Sequence, residues 1–231
     1  MASNFADTAR TLGKHFSKQT GHNVRFVLGS SGKIAAQIRH GAPFDLFLSA
    51  DQERPAQLIT EKLAFANSRF SYAEGALVLW SVNKKHQQLD AEFINRLKAS
   101  SQPFKLAIAN PRLAPYGRAA SVFLGGIERR HIVQGENIAQ AFQFARIGRV
   151  DAGFIARSQW LALPSSERQP SWEIPRSLHP KILQDAVLLK RAGSNAAARA
   201  FWEYLQSPEA HLIIEKDGYL APTKAISTKE S

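Results

Sequence analysis

Short apolar runs separated by amphipathic segments constrain this chain more than any other feature. Val24 to Leu28, Phe44 to Leu48, Ala76 to Val82, Leu106 to Ala109, Ala152 to Ile155 and Ala186 to Leu189 are strand-sized and rich in Val, Ile, Leu and Phe. Helical patterns fall between most of them, as at Lys33 to His40 and Gln52 to Glu61. This alternation predicts an α/β chain with mainly parallel sheets. At the start, Phe5, Ala9, Leu12 and Phe16 recur at helical spacing and form one apolar stripe. Helices are also expected from Ala196 to Leu205 and from Pro208 to Lys216, and a surface loop from Pro164 to Pro180.

The chain has 231 residues, 44% of them hydrophobic, which suffices for one large domain or for two lobes sharing a cleft. No apolar run approaches the roughly 18–20 residues of a membrane helix. With no cysteine, disulfides, thiolate metal sites and thiol nucleophiles are excluded together. Met1 is followed at once by Ala-Ser-Asn-Phe, so this sequence shows no export signal of its own. A formal net charge of +11 attracts anions. The basic residues are scattered, however, and Lys84-Lys85 and Arg129-Arg130-His131 do not extend into a stripe, so nucleic acid is not the expected partner.

Four strand-to-helix junctions share one chemistry. They are Ser3-Asn4, Gly29-Ser30-Ser31-Gly32, Pro115-Tyr116-Gly117 and Glu136-Asn137-Ile138. A helix N-terminus offers unpaired N–H groups and partial positive charge, and so receives anions. In open α/β sheets such junctions gather beyond the carboxyl ends of the strands, where ligands bind. Taken singly, each junction is also what an ordinary N-cap or turn looks like. Spacing alone therefore supports a ligand-binding α/β domain and no more. The Ser3-Asn4 and Ser30-Ser31 junctions carry no carboxylate. Hydrogen phosphate needs an acceptor for its proton, whereas a donor-only site suits a fully ionised dianion. Glu136 is expected to point outward.

Catalytic signatures are missing. The sequence holds no P-loop, dinucleotide fingerprint, nucleophile elbow or H-E-x-x-H, and its seven histidines are isolated. Asp45 and Asp51 could be read as a catalytic pair, but Asp51 is more simply a helix cap and Asp45 a strand-edge residue.

Several stretches together resemble one family. They are Ala42-Pro43-Phe44-Asp45-Leu46-Phe47-Leu48-Ser49-Ala50-Asp51, similar to a "GAPADLFISAD" signature; Ser30-Ser31-Gly32-Lys33; Asn110-Pro111 with Ala114-Pro115-Tyr116-Gly117; and Ser207-Pro208-Glu209-Ala210 with Gly218-Tyr219. From Ala2 to about Lys224 the chain resembles the periplasmic molybdate-binding proteins of ABC importers. The resemblance implies the two-lobed type II periplasmic binding protein fold, with a central ligand cleft and two hinge crossings. Lobe 1 would hold residues 1–80 and 181–231, and lobe 2 residues 81–180. It implies a monomeric receptor, located in the periplasm, that passes molybdate or tungstate to permease subunits, without cofactor, bare metal cation or catalysis. Sulfate or another tetrahedral oxyanion is the alternative ligand.

Carried over by position, the resemblance implies that Ser3, Asn4, Ser31, Tyr116 and Ile138 hold the oxyanion, Ile138 through its backbone N–H. A tyrosine donor of some members falls near Ala156, and Asn4 and Tyr116 are expected to compensate for it. Relatives place a strand before the Ala-Ser-Asn segment. Only Met1 and Ala2 stand there in this sequence, so the first strand of lobe 1 is expected to be truncated.

Overall fold

The computed structural model describes residues 1–86 and 88–222. The expected lobe 1 segment beyond 222, and the end of the resemblance near Lys224, lie outside the described residues. The strands are β1 (Leu46–Leu48), β2 (Phe70–Gly75), β3 (Leu77–Trp80), β4 (Leu106–Ala109), β5 (Ile132–Gly135), β6 (Ala152–Ala156), β7 (Ser171–Glu173) and β8 (Ile182–Leu188). The helices are α1 (Ala6–Thr20), α2 (Ser31–Arg39), α3 (Glu53–Thr60), α4 (Ala91–Ala99), α5 (Pro115–Leu124), α6 (Ile138–Arg146), α7 (Arg157–Leu161), α8 (Ala196–Tyr204) and α9 (Pro208–Lys216).

Two sheets organise these elements, in the orders β1-β8-β2 and β5-β4-β6-β3-β7. The chain passes from the first sheet to the second at Ala76, between β2 and β3, and returns between β7 and β8. This is the two-lobed type II arrangement with two crossings. β3 pairs with β6 and β7, so residues 77–80 form part of the five-stranded sheet.

The expectation of mainly parallel sheets is corrected. Only β4–β5 and β4–β6 are parallel among the paired strands; β1–β8, β2–β8, β3–β6 and β3–β7 are antiparallel. The reason is the crossing itself. β3 and β8 each enter a sheet from the other lobe and so run against the strands they join. Parallel pairing survives where a helix intervenes, as between β4 and β5 through α5.

Each lobe has its own core. In the second, Leu77, Leu79, Trp80, Leu106 and Phe154 are buried. In the first, Phe5 and the α1 residues Leu12 and Phe16 pack in one cluster with Tyr72, Phe201 and Tyr219. Phe5 meets Tyr72 edge-on at 4.8 Å and Tyr219 at 5.2 Å. Phe5→Ala would cost about 3–5 kcal/mol by cavity formation, and Phe5 directly follows Ser3-Asn4, so its packing also fixes that junction.

Val24 to Leu28, expected as a strand, makes no ladder. The segment is extended, Val27 and Leu28 are 46% and 41% exposed, and pairing is reduced to one parallel bridge between Ala2 and Gly29. Met1 to Ser3 bonds on both sides: Met1 N donates to Val27 O at 2.6 Å, Gly29 N to Met1 O at 3.1 Å, and Ala2 N to Leu48 O at 2.9 Å. Between residues 23–27 and β1 the same two edges line a groove of about 460 Å³, floored by Met1, Phe16 and Phe201. Residues 1–3 bridge these two edges at single points only, and no ladder forms between them among the described residues.

Burial lowers the Met1 amino group from 8.0 to about 5. A cation whose folded pKa is depressed binds more protons unfolded, so stability rises with pH between about 5 and 8. A chain extended before Met1 by a short Val/Ile/Thr-rich strand is expected to melt at higher temperature, and to lose the part of that pH slope due to the amino group. Equal melting temperatures with and without the extension would contradict this account.

Candidate functional site

Ser3, Asn4, Ser31, Tyr116 and Ile138, distant in sequence, line one small cavity between the lobes. Ala2, Gly29, Ser30, Ala50, Ala114, Pro115 and Asn137 complete its wall. Its empty volume is about 190 Å³. In this closed geometry the cavity suits a group of a few atoms and excludes sugars, peptides and nucleotides. A groove of about 680 Å³ opens beside it, also bordered by Ser3 and Asn4 and carrying Arg10, Arg146 and Lys216.

The structure separates helix caps from cavity donors at neighbouring positions. Ser30 is the cap of α2, its side chain accepting from Lys33 N at 3.3 Å. Asn137 caps α6, accepting from Ala139 N and Gln140 N at 3.0 and 3.1 Å. The next residues, Ser31 and Ile138, begin those helices, and their N–H groups have no acceptor among the described residues. Tyr116 holds the same position on α5, after Pro115, and Asn4 lies in the 3₁₀ turn before α1. Their N–H groups also lack an acceptor among the described residues. Such first-turn donors bear the positive end of the helix dipole.

The hydroxyls follow the same pattern. Ser31 Oγ accepts from Ala50 N at 2.9 Å, which leaves its own proton free to donate. Ser3 is 6% exposed, and its Oγ has no hydrogen-bond partner among the described residues. A buried polar group left so costs about 1–3 kcal/mol, so an orphan in a cavity of donors points to an acceptor ligand. Asn4 does not turn its side-chain donors to the cavity. Both Asn4 Nδ2 protons are committed, to Gln184 Oε1 at 2.9 Å and to Tyr219 Oη at 3.2 Å. Tyr116 Oη accepts from Gln184 Nε2 at 3.4 Å. Asn4 is therefore left with its backbone N–H for the cavity, while accepting from Gln184 leaves the Tyr116 hydroxyl proton uncommitted.

Charge is kept out of the cavity wall. Tyr116 is its one titratable side chain, and burial pushes its phenol well above the usual range, so it stays neutral. Glu136 turns outward, as expected, and meets Lys33 of the other lobe at 3.2 Å. Asp51 caps the approach to α3, accepting from Arg54 N at 2.9 Å and pairing with the Arg54 guanidinium; it is a structural cap, as expected. Ala156 is buried, its N–H bonded to Gln159 Oε1 at 3.0 Å, and is not part of the cavity wall. No group of three or more His, Cys, Asp or Glu capable of holding a cation occurs among the described residues.

Closure rests on a close backbone approach. Gly32 N donates to Leu113 O across the cleft at 2.9 Å. A Cβ at Gly32 would lie 3.0 Å from Leu113 Cδ2 and 3.1 Å from its Cα, tighter than the lobes tolerate unmoved. Arg54 Nη2 donates to Arg112 O at 2.9 Å, and Arg118 meets Glu53 at 3.4 Å. The last pair is exposed and adds little by itself.

The residues match a model of the bacterial extracellular solute-binding proteins over 1–220. The chain belongs to that family. It is 41% identical to the molybdate-binding protein of Rhodobacter capsulatus over 95% of this chain and 86% of the relative. It is 37% identical to that of Azotobacter vinelandii over 95% and 87%. The solved periplasmic molybdate-binding protein of Azotobacter vinelandii superposes with a TM-score of 0.85, 35% identity, and 96% and 97% coverage. The sulfate-binding protein of Mycobacterium tuberculosis H37Rv shares the fold, with a TM-score of 0.75, 12% identity, and 94% and 84% coverage.

Sequence reasoning missed the layer behind the cavity: Tyr72, Gln184 and Tyr219, with Ser158. Its signal was present as Gln184-Asp185, a polar pair inside the apolar run Ile182 to Leu189. Ser3→Ala is expected to weaken oxyanion binding by about tenfold, roughly 1.4 kcal/mol. Because Ser3 Oγ has no partner in the protein, the ligand-free melting temperature should hold or rise. A large fall in melting temperature with unchanged affinity would show that Ser3 is structural only.

Proposed function

We propose that this chain is an extracytoplasmic receptor that captures molybdate or tungstate between its lobes and delivers the ion to the permease of an ABC importer. One observation carries the reading: donors without protein acceptors converge on one small cavity whose wall bears no carboxylate. Ser3 and Ser31 give hydroxyl donors; Asn4, Ser31, Tyr116 and Ile138 give backbone N–H groups. The relatives at 41% and 37% identity are named for molybdate, which favours it over sulfate.

Binding follows from electrostatics without a countercharge. Dipoles of α2, α5 and α6 and the turn before α1 place partial positive charge around the ion, and closure removes water that would screen it. A tetrahedral dianion presents acceptors in every direction and carries no proton. Hydrogen phosphate would bring an O–H to a wall without a carboxylate and lose one hydrogen bond. Discrimination by such a mismatch is large, because a buried polar group is left unpaired. The family is one of extracellular solute-binding proteins, which supports a location outside the cytoplasm. The protein acts as a monomer, without cofactor, catalysis or nucleic acid, and in the periplasm.

Calorimetry is expected to show saturable binding of molybdate and tungstate at one site per chain, weaker binding of sulfate, and none of phosphate. Affinity for molybdate should be flat between about pH 6 and 9, because the wall's one titratable group stays neutral throughout. No heat with molybdate, or binding of phosphate equal to that of molybdate, would overturn the reading.

A further inference from the structure

Gln184 is fully buried on β8, the strand that returns from the second lobe to the first. Opposite it lies Ala73, beside a register shift in β2 between Ser71 and Ala73. The extra residue at that bulge is Tyr72, freed from the ladder so that its side chain reaches the core. Gln184 Oε1 accepts from Asn4 Nδ2 at 2.9 Å and from Tyr72 OH at 3.0 Å. Its Nε2 donates to Tyr116 Oη at 3.4 Å. Tyr219 extends the network, donating to Asn4 O at 2.8 Å and lying 3.1 Å from Ser158 Oγ. Space for the phenol exists only because residue 75 has no side chain. A Cβ at Gly75 would stand 2.1 Å from Tyr116 Oη and 2.9 Å from Gln184 Nε2.

One amide therefore holds a cavity segment of each lobe: Asn4 of the first and Tyr116 of the second. We propose that Gln184 is a positioning residue for oxyanion capture, its side-chain amide setting the spacing between the backbone donors of Asn4 and Tyr116 in the closed form. The inference rests on the cavity being the oxyanion site. Chemistry explains why the residue is an amide. Two donors converge on Oε1 and one acceptor faces Nε2, a demand that neither a carboxylate nor an aliphatic side chain meets. An ionised carboxylate would place a buried negative charge behind the anion. The titratable groups around Gln184 are the phenols of Tyr72, Tyr116 and Tyr219, all pushed up by burial, and Asp51 and Asp185, which pair with Arg54 and Arg69.

The test is calorimetry with molybdate from pH 5.5 to 8.5 on the wild-type chain, Gln184→Met and Gln184→Glu, each checked for folding by circular dichroism. Gln184→Met is expected to bind at least about tenfold more weakly at every pH. Gln184→Glu should approach wild-type affinity at pH 5.5, where a protonated carboxyl both donates and accepts. It should lose at least about tenfold by pH 8.5 as the carboxylate ionises, while the wild type stays flat. A residue that serves stability alone would lower the melting temperature without this pH profile. Folded variants binding within about twofold of wild type across the range would overturn the inference. If neither variant folds, Tyr72→Phe removes one donor to Oε1 without touching the cavity wall; a loss of about threefold or more supports the proposal, and unchanged affinity overturns it. Absence of molybdate binding by the wild type would instead strike at the oxyanion site itself.

Discussion

A buried donor without an acceptor is among the costlier defects a folded chain can carry, at about 1–3 kcal/mol each. This fold gathers several at one point. Ser3 Oγ and the N–H groups of Asn4, Ser31, Tyr116 and Ile138 have no acceptor within the described protein, yet all line the same cavity. Elsewhere the same kinds of group are satisfied locally, as Ser30 and Asn137 show in capping α2 and α6. The contrast between adjacent residues, one spent on the helix and the next left free, is the observation on which the proposed binding site rests. It also sets the ligand's chemistry, because donors alone reward an ion that only accepts.

The rest of the architecture keeps those donors together. Two sheets supply two lobes, joined by the crossings at Ala76 and before β8. Closure is expressed in backbone contact, Gly32 to Leu113, rather than in strong ion pairs, since Lys33–Glu136 and Arg118–Glu53 are exposed. The network centred on Gln184 lies directly beneath, on the returning strand, and joins the lobes from inside. Rim and hinge thus both constrain the distance across the cavity.

Much of this was legible in the sequence. The helix from Pro208 to Lys216 and the strand from Leu106 to Ala109 appear where their patterns place them, because each carries a clear period and clear ends. Residues 24–28 read as a strand by composition but lack a full-length partner, and pairing is a tertiary property that local pattern does not hold. The antiparallel pairings were hidden for a similar reason, since strand direction is set by which lobe the chain arrives from. The five cavity residues were legible through family resemblance more than through chemistry, as any one junction looks like a cap. How one of them acts was not legible. Asn4 suggests a side-chain donor in sequence, and only the network around Gln184 and Tyr219 shows both its amide protons already bonded.

The central claim is that the oxyanion sits in the small cavity and not in the larger basic groove beside it. A crystal structure of the complex with tungstate, phased at the tungsten edge, decides this directly. The account predicts a single strong anomalous peak enclosed by Ser3, Ser31, Tyr116 and Ile138, with the lobes closed. A peak instead among Arg10, Arg146 and Lys216 would contradict it.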